Sequence, residues 1–169
     1  MSEDVGRLAK PVALGSRHDL STFDCGREPI TGWLQARARD AIEADTARVY
    51  AVCCGARKVV AFYALAAGGV ARSDAPGALR RNSPDPIPVI ILAVLGVDKP
   101  EQEQGLGRDL LSDAMRRALQ ASKIIGARAL LVHAIDARTS NFYMQHGFSR
   151  FGGEAETLFL PMKAIRQLL

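Results

Sequence analysis

Residues 102–107, Gln-Glu-Gln-Gly-Leu-Gly, have the composition of an anion-binding turn. They lie between an apolar run that ends at Val97 and an amphipathic pattern that starts near Arg108. Two glycines let backbone N–H groups point at one position, and a helix that begins there adds the positive end of its dipole. The segment therefore predicts a loop that binds a phosphate or a diphosphate, with an ordinary tight turn as the alternative.

Two common phosphate-binding motifs do not fit this segment. A P-loop needs Lys followed by Ser or Thr directly after the last glycine, where this chain has Arg108 and Asp109. A dinucleotide-binding loop needs a small residue where Leu110 stands and an acidic residue roughly 20 positions later, where the chain has residues 127–129, Ala-Arg-Ala. Both motifs are excluded.

Composition places the chain among ordinary folded proteins. It has 169 residues, of which 48% are hydrophobic and 24% charged, and no apolar run is long enough to cross a bilayer. We expect one domain over residues 1–169, no membrane segment and, because residues 1–6 lack signal-peptide character, a cytoplasmic location. Three cysteines without metal-ligand or disulfide spacing predict reduced structural thiols and no metal. A net charge of +4 is compatible with a polyanionic partner without establishing one.

Apolar periodicity predicts alternating strands and helices, and hence an α/β fold. A helix opening at Pro29 carries an apolar stripe that reaches Ala41, a second helix runs from near Arg108 to about Gly126, and a short third one spans residues 139–146. Residues 80–88 are rich in breakers and predict a loop, and Gly96 suggests a bulge. The predicted strands cover residues 12–14, 48–54, 59–67, 89–97, 129–134, 148–151 and 157–160. The strand, helix, strand order around residues 89–134 implies a parallel crossover.

Two motifs together resemble the GNAT family of acetyl-CoA-dependent N-acetyltransferases. The Gln-x-x-Gly-x-Gly turn that opens a helix after a strand resembles the family's pyrophosphate loop. Phe142, Tyr143, Gly147 and Phe148 match its short Phe-Tyr-x-x-x-Gly-Phe helix. The resemblance implies the GNAT acyl-CoA N-acyltransferase fold, an α/β architecture in which a central mixed sheet with splayed parallel strands 4 and 5 is flanked by helices.

Further segments are similar to the TacT-like toxins of type II toxin-antitoxin systems: residues 23–26, 30–34, 79–88 and 158–163. This resemblance covers nearly the whole chain. It implies an enzyme that acetylates the α-amino group of aminoacyl-tRNA and inhibits translation, with acetyl-CoA as cofactor, a ribbon-helix-helix antitoxin as partner and a homodimer as the assembly. The chain departs from the pattern at Glu103, which replaces the usual first glycine of the loop and predicts a weakening of cofactor affinity at most.

The resemblance also implies roles for individual residues. Tyr143 would protonate or hydrogen-bond the departing sulfur of coenzyme A, because a tyrosine with an ordinary pKa of about 10 is a proton donor at neutral pH. The basic residues expected to hold tRNA phosphates at the mouth of the cleft are Arg37, Arg39, Arg80 and Arg81, with scattered solvated arginines as the alternative. The residues expected to contact the cofactor are Leu95 and Val97 (pantetheine amides), Gln102, Gln104, Gly105, Gly107 and Arg108 (diphosphate) and Asn141 (pantetheine arm).

The predicted strand over residues 89–97 contains no carboxylate, where many relatives place a general base. An α-amino group has a pKa of about 7.7 to 8.0 and is partly neutral without a base, whereas a lysine at about 10.4 needs one. The sequence therefore favours an α-amine as acceptor. Water, a distant glutamate, His133 or His146 stay open as proton acceptors.

Two other functions stay open at this stage. One is a GNAT enzyme that acetylates a small-molecule amine or a protein N-terminus. The other is a non-catalytic module that binds acyl-CoA or a protein partner.

Overall fold

The computed structural model describes residues 8–152 and 156–169. The chain divides into two compact units. Unit 1 contains the chain up to Leu65 together with Val94–Ala114, and unit 2 contains Ala66–Ala93 together with Met115–Leu169. The single domain over residues 1–169 stays a prediction.

The described part of the chain forms strands and helices in alternation, with 3-10 turns at Arg72–Asp74 and Lys99–Glu101. The strands are β1 (Val12–Ala13), β2 (Arg48–Cys54), β3 (Lys58–Val70), β4 (Ile87–Val97), β5 (Ala129–His133), β6 (Ser149–Arg150) and β7 (Thr157–Pro161). The helices are α1 (Glu28–Ala36), α2 (Ala38–Glu43), α3 (Gly77–Arg80), α4 (Leu106–Ile124), α5 (Ala137–Gln145) and α6 (Met162–Leu168).

The strands form one mixed sheet in the order β1-β2-β3-β4-β5-β7-β6. β4 and β5 pair in parallel from Ile90↔Leu130 to Leu92↔Val132, and β4 continues to Val97. A parallel pair needs a crossover between its strands, and α4 supplies it. β5 pairs antiparallel with β7, which also pairs antiparallel with β6. The predicted α/β class, with a mixed sheet and a parallel β4–β5 pair, is confirmed.

The core of unit 1 packs the first helix against the first strands. Phe62 is fully buried, meets Phe23 edge to face and stacks parallel with Trp33. Gly96 is required by this packing, because a Cβ atom there would lie 2.6 Å from Ile30 Cγ2 and 3.2 Å from Phe62 Cε1. Close approach of two side chains, within the uninterrupted strand β4, is therefore the reason for this glycine.

One predicted helix of unit 1 is two helices in the structure. The helix predicted from Pro29 to beyond Ala41 breaks at Arg37, whose φ of −124° is not helical, and α2 starts at Ala38. Leu34 and Ala38, four residues apart, are both fully buried. The apolar spacing stays in phase through the break, so hydrophobic periodicity could not reveal it.

Unit 2 differs from the expectations mainly in short elements. The loop predicted over residues 80–88 is wrong at both ends, because Arg80 closes the short helix α3 and β4 already begins at Ile87, which is fully buried. α6 was not predicted, since a helix of seven residues with two buried positions, Met162 and Ile165, gives too little periodic signal. The strand predicted over residues 148–151 shortens to β6.

The three cysteines are free thiols, and burial raises the pKa of Cys53. Among residues 8–152 and 156–169, no helix is long and apolar enough to cross a membrane. The same residues contain no group of three His, Cys, Asp or Glu side chains that could hold a metal ion.

Candidate active site

The predicted diphosphate loop connects β4 to α4 in unit 1. After Val97 the chain makes a 3-10 turn and passes through Gln102, and α4 begins at Leu106, two residues earlier than the sequence pattern indicated. Gly107 therefore lies in the first helical turn. Asp109 N–H donates to Gly105 O at 3.1 Å, and the preceding N–H groups of this turn have no carbonyl within the helix to bond. These groups and the helix dipole make the turn suitable for an anion.

Two residues of this loop adopt the left-handed backbone conformation. Gly105 has φ of +83° and Glu103 has φ of +65°. Glycine adopts this conformation without a steric penalty, whereas a residue with a Cβ atom pays about 1 to 2 kcal/mol. Glu103 therefore stands, under backbone strain, where the resemblance expects a glycine.

The side chains of the loop have two roles: the glutamines hold the loop in shape through hydrogen bonds, and Arg108 supplies a positive charge. Gln102 donates from Nε2 to Cys25 O and to Val97 O, both at 2.8 Å, and Gln104 donates from Nε2 to Pro100 O at 3.3 Å. Both amides brace the loop, and the backbone N–H of Gln102 is engaged as well, since it donates to Lys99 O at 3.2 Å. The guanidinium of Arg108 lies beside Gly105, where a Cβ atom would be 3.1 Å from Nη2.

A buried carboxylate fixes the segment before this loop. Asp98 is 4% exposed and accepts from Asp24 N–H at 2.8 Å, while its own N–H donates to Val60 O at 2.8 Å. These bonds hold the end of β4, which carries the predicted pantetheine contacts Leu95 and Val97.

The tyrosine helix α5 lies in unit 2 and has a defined cap at each end. Asp136 is the N-cap, and its carboxylate accepts from the N–H of Thr139 at 2.8 Å. At the other end Phe148 N–H donates to Tyr143 O and Gly147 N–H to Met144 O, with Gly147 at φ of +100°. This is a Schellman motif, and it confirms the prediction that Gly147 ends the helix in a left-handed conformation.

Tyr143 is held by aromatic neighbours and is 3% exposed. Its ring meets Phe142 and Phe148 edge to face, with centroids 5.1 Å and 5.4 Å away. Desolvation raises the pKa of Tyr143 well above its ordinary value, so the hydroxyl keeps its proton at any physiological pH. The geometry is that of a proton donor on a rigid support.

The hydroxyl of Tyr143 has no hydrogen-bond partner within the described residues. No fully buried side-chain polar atom in that part of the chain lacks a partner, so this oxygen keeps some accessible surface. Asn141, two residues earlier on α5, is exposed.

The four predicted RNA-binding arginines lie in different units. In unit 1, Arg37 is exposed between α1 and α2, and Arg39 donates from Nη2 to His18 O at 2.6 Å. In unit 2, Arg80 and Arg81 are exposed at the end of α3. The prediction that all four hold tRNA stays a prediction.

Two further arginines of unit 2 converge on α3, and the sequence analysis missed both. Arg128 donates from Nη2 to Arg81 O at 3.2 Å, and Arg72 donates from Nη2 to Arg80 O at 3.4 Å. We call Arg72, Arg80, Arg81 and Arg128 the α3 arginine cluster. Arg128 is 47 residues from Arg81 in the sequence, so only the folded chain reveals its place in the cluster.

Unit 2 also contains a cavity of about 570 Å³. Val89, Ile91 and Leu131 of β4 and β5 form an apolar wall, and His133, Thr157 and Asp74 supply the polar groups. His133 Nδ1 lies 2.9 Å from Thr157 Oγ1. The sequence offered His133 only as an isolated candidate base, and the structure adds the cavity and the threonine partner.

The sheet with its parallel β4–β5 pair, the glycine-containing turn that opens α4, and the tyrosine helix α5 define an acyl-CoA-dependent acyltransferase of the GNAT class. The chain is 42% identical over 159 residues to the tRNA-acetylating toxin of Mycobacterium tuberculosis, covering 94% of this chain and 95% of that protein. It belongs to this family of TacT-like, tRNA-acetylating toxins. No protein-family model matches it.

Solved structures agree with this assignment. AtaT complexed with acetyl-methionyl-tRNAfMet has a TM-score of 0.87 and 30% identity, covering 96% of this chain and 99% of that one. A tyrosine-to-phenylalanine mutant of the AtaT toxin, bound to the C-terminus of the antitoxin AtaR and to acetyl-CoA, has a TM-score of 0.82 and 29% identity, covering 95% and 97%.

Proposed function

We propose that this protein transfers the acetyl group of acetyl-CoA to the α-amino group of an aminoacyl-tRNA and so stops translation. The observation that carries the proposal is Tyr143, at the position that matches the family's tyrosine. It is a buried tyrosine whose hydroxyl has no hydrogen-bond partner among the described residues. An N-acetylated aminoacyl group has no free amine to form a peptide bond, so the product is useless for elongation.

In this proposal the loop of unit 1 holds the diphosphate of acetyl-CoA. The contacts are the backbone N–H groups of the first turn of α4, with Gly105 and Gly107, and the guanidinium of Arg108. The backbone of Leu95 and Val97 pairs with the pantetheine amides. Gln104 contributes through its backbone, because its side-chain amide donates to Pro100 O. Gln102 positions the loop, because its side-chain amide and its backbone N–H are both engaged.

The chemistry needs a neutral amine and a stabilised leaving group. The amine attacks the thioester carbonyl, a C–N bond forms, the C–S bond breaks, and the departing thiolate takes the proton of the Tyr143 hydroxyl. The proton left on the new amide nitrogen then returns to the tyrosine. Tyr143 ends unchanged.

Partner and location follow from the same function. AtaT is bound to the antitoxin AtaR in a solved structure, which supports an antitoxin partner for this chain. We propose that this partner is of the ribbon-helix-helix type. Ile124 and Ile125, at the end of α4, are 89% and 75% exposed and supply apolar surface for a homodimer. The cytoplasm is where aminoacyl-tRNA is consumed, so the protein acts there.

Cell-free translation tests the proposal. The protein together with acetyl-CoA should stop synthesis of a reporter, and the same protein without acetyl-CoA should not. Inhibition that is independent of acetyl-CoA would point to the non-catalytic module instead.

The α3 arginine cluster gives a prediction for RNA binding. Replacing Arg80 and Arg81 by alanine should weaken binding of charged tRNA and make its dependence on salt less steep, by about 1 to 2 in the log-log slope, because each lost phosphate contact removes about 0.7 to 0.9. Filter binding over a range of salt concentrations measures this. The matched control replaces Lys163 and Arg166, exposed cations of α6, and removes the same charge. Equal slopes for both double variants would exclude the cluster as an RNA contact.

A further inference from the structure

The cavity of unit 2 contains His133, which combines a polar partner with a site large enough for a ligand. We propose that this cavity receives the aminoacyl-adenosine end of the tRNA and that His133 takes the proton from its α-ammonium group. The inference rests on the proposed function, because it assigns a proton acceptor to the same acetyl transfer.

The size and walls of the cavity fit this occupant. About 570 Å³ lies in the range of pockets that hold drug-sized ligands, which is much larger than a single amino-acid side chain. Val89, Ile91 and Leu131 offer an apolar wall for a base or an apolar side chain. The carboxylate of Asp74, which also lines the cavity, attracts an ammonium group.

The neighbourhood of the cavity fits a nucleic acid. Ala75 and Pro76 line the cavity, and the next residue, Gly77, begins α3. The cavity wall therefore continues directly into the helix whose end carries the exposed cations Arg80 and Arg81. A ligand with phosphates next to its reactive end matches this arrangement, and a small free amine does not use it.

The hydrogen bonding of His133 suits a proton acceptor. Nδ1 is engaged with Thr157 Oγ1, and Nε2 has no partner within the described residues. With Nδ1–H donating to the threonine, Nε2 carries a lone pair. His133 follows Val132, the last residue of β5 that pairs with β4, so it stands at the carboxyl end of the parallel strands, where ligands of such sheets bind.

Within residues 8–152 and 156–169, the charged groups nearest this imidazole lie on two segments. Asp74 shares the cavity. Glu156 precedes Thr157 on the chain, accepts a hydrogen bond from Ser140 and lies 3.9 Å from Arg150.

His133 Nε2 takes one proton from the α-ammonium group before attack, and the imidazolium later releases it to solvent. The neutral amine then attacks acetyl-CoA, and Tyr143 supplies the proton of the thiol product. The overall change is one amide formed, one thioester cleaved and one proton released.

The test is the pH dependence of kcat/KM for charged tRNA, with His133→Gln as the variant. His133 is exposed, so glutamine does not disturb the core. Near pH 7 most of the acceptor is still an ammonium ion, and a base in the cavity helps to remove its proton. The variant should lose about fivefold at pH 7 and approach wild type near pH 8.5, where the amine is already neutral.

Four further variants make the result decisive. His18→Gln, the same exchange in unit 1, should keep the wild-type profile. Thr157→Val should shift the profile as His133→Gln does, and Thr157→Ser should restore it, since only the serine keeps a hydroxyl for Nδ1. Ala71→Phe, at the exposed lining of the cavity, should raise KM for charged tRNA several-fold and leave KM for acetyl-CoA unchanged.

A loss of equal size at all pH values, or no loss, would overturn the role of His133. An unchanged KM for charged tRNA in Ala71→Phe would overturn the assignment of the cavity. Either result leaves acetylation by the wild-type protein intact, whereas failure of the wild type to acetylate any charged tRNA would instead refute the proposed function.

Discussion

Tyr143→Phe should lower the rate of acetyl transfer by at least about 100-fold, the lower end of what a general acid contributes. The substitution removes one oxygen and keeps the ring that packs against Phe142 and Phe148. Stopped reactions with acetyl-CoA and charged tRNA measure the rate. Expression of the wild type should arrest bacterial growth, and expression of the variant should not.

The same variant should unfold at the same temperature as the wild type, because the lost hydroxyl has no hydrogen-bond partner among the described residues. The raised pKa of Tyr143 adds a second expectation. The folded state favours the protonated hydroxyl. Its contribution to the free energy of unfolding is therefore fully present below the ordinary tyrosine pKa of about 10 and declines as the pH rises above that value. Activity should therefore show no tyrosine ionisation below about pH 10. Equal growth arrest by both proteins would remove Tyr143 from the chemistry.

Gly105→Ala should raise the dissociation constant for coenzyme A about tenfold. Alanine makes the left-handed conformation about 1 to 2 kcal/mol less favourable, so the free loop leaves it and must recover it on binding, and 1.4 kcal/mol is a factor of ten. The new Cβ atom would also approach Arg108 Nη2 to 3.1 Å, displacing the cation proposed to face the diphosphate. Isothermal titration calorimetry with coenzyme A measures the change.

Glu103→Gly is the matched control for this loop. Glu103 has φ of +65°, so glycine removes backbone strain where alanine at position 105 creates it. We expect coenzyme A to bind the Glu103→Gly variant as tightly as the wild type or more tightly. If this variant loses affinity as Gly105→Ala does, the Glu103 side chain contacts the ligand and the loop assignment needs revision.

The features that sequence could predict are local ones. Helix α5 was predictable because its signals are contiguous: the Phe-Tyr pair sits inside it, and Gly147 ends it by adopting a backbone conformation that glycine favours. The β4–α4–β5 crossover was predictable because both strands are continuous apolar runs and the helix has a clear apolar side. The turn at Gly105 was predictable for the same reason, since its positive φ favours glycine and the sequence has a glycine there.

The features that sequence missed depend on residues distant in the chain. Arg72 and Arg128 both donate to carbonyl oxygens at the end of α3. Strands separate the two arginines along the chain, so no regular spacing in the sequence predicts that they lie together. His133 acquires its partner only because β5 and β7 pair in a register that sets it opposite Thr157. The side chains of Gln102 and Gln104 turn to backbone carbonyls, a choice made by local packing that the motif alone does not encode.

Mass spectrometry of charged tRNA tests the central claim most directly. The wild-type protein is incubated with acetyl-CoA and a full set of aminoacyl-tRNAs, and the aminoacyl-adenosine ends are released by nuclease and weighed. The account predicts an acetyl group on the α-amine of at least one aminoacyl end, and none with Tyr143→Phe. Unmodified aminoacyl ends, together with acetyl transfer to a small amine or a peptide N-terminus, would contradict it.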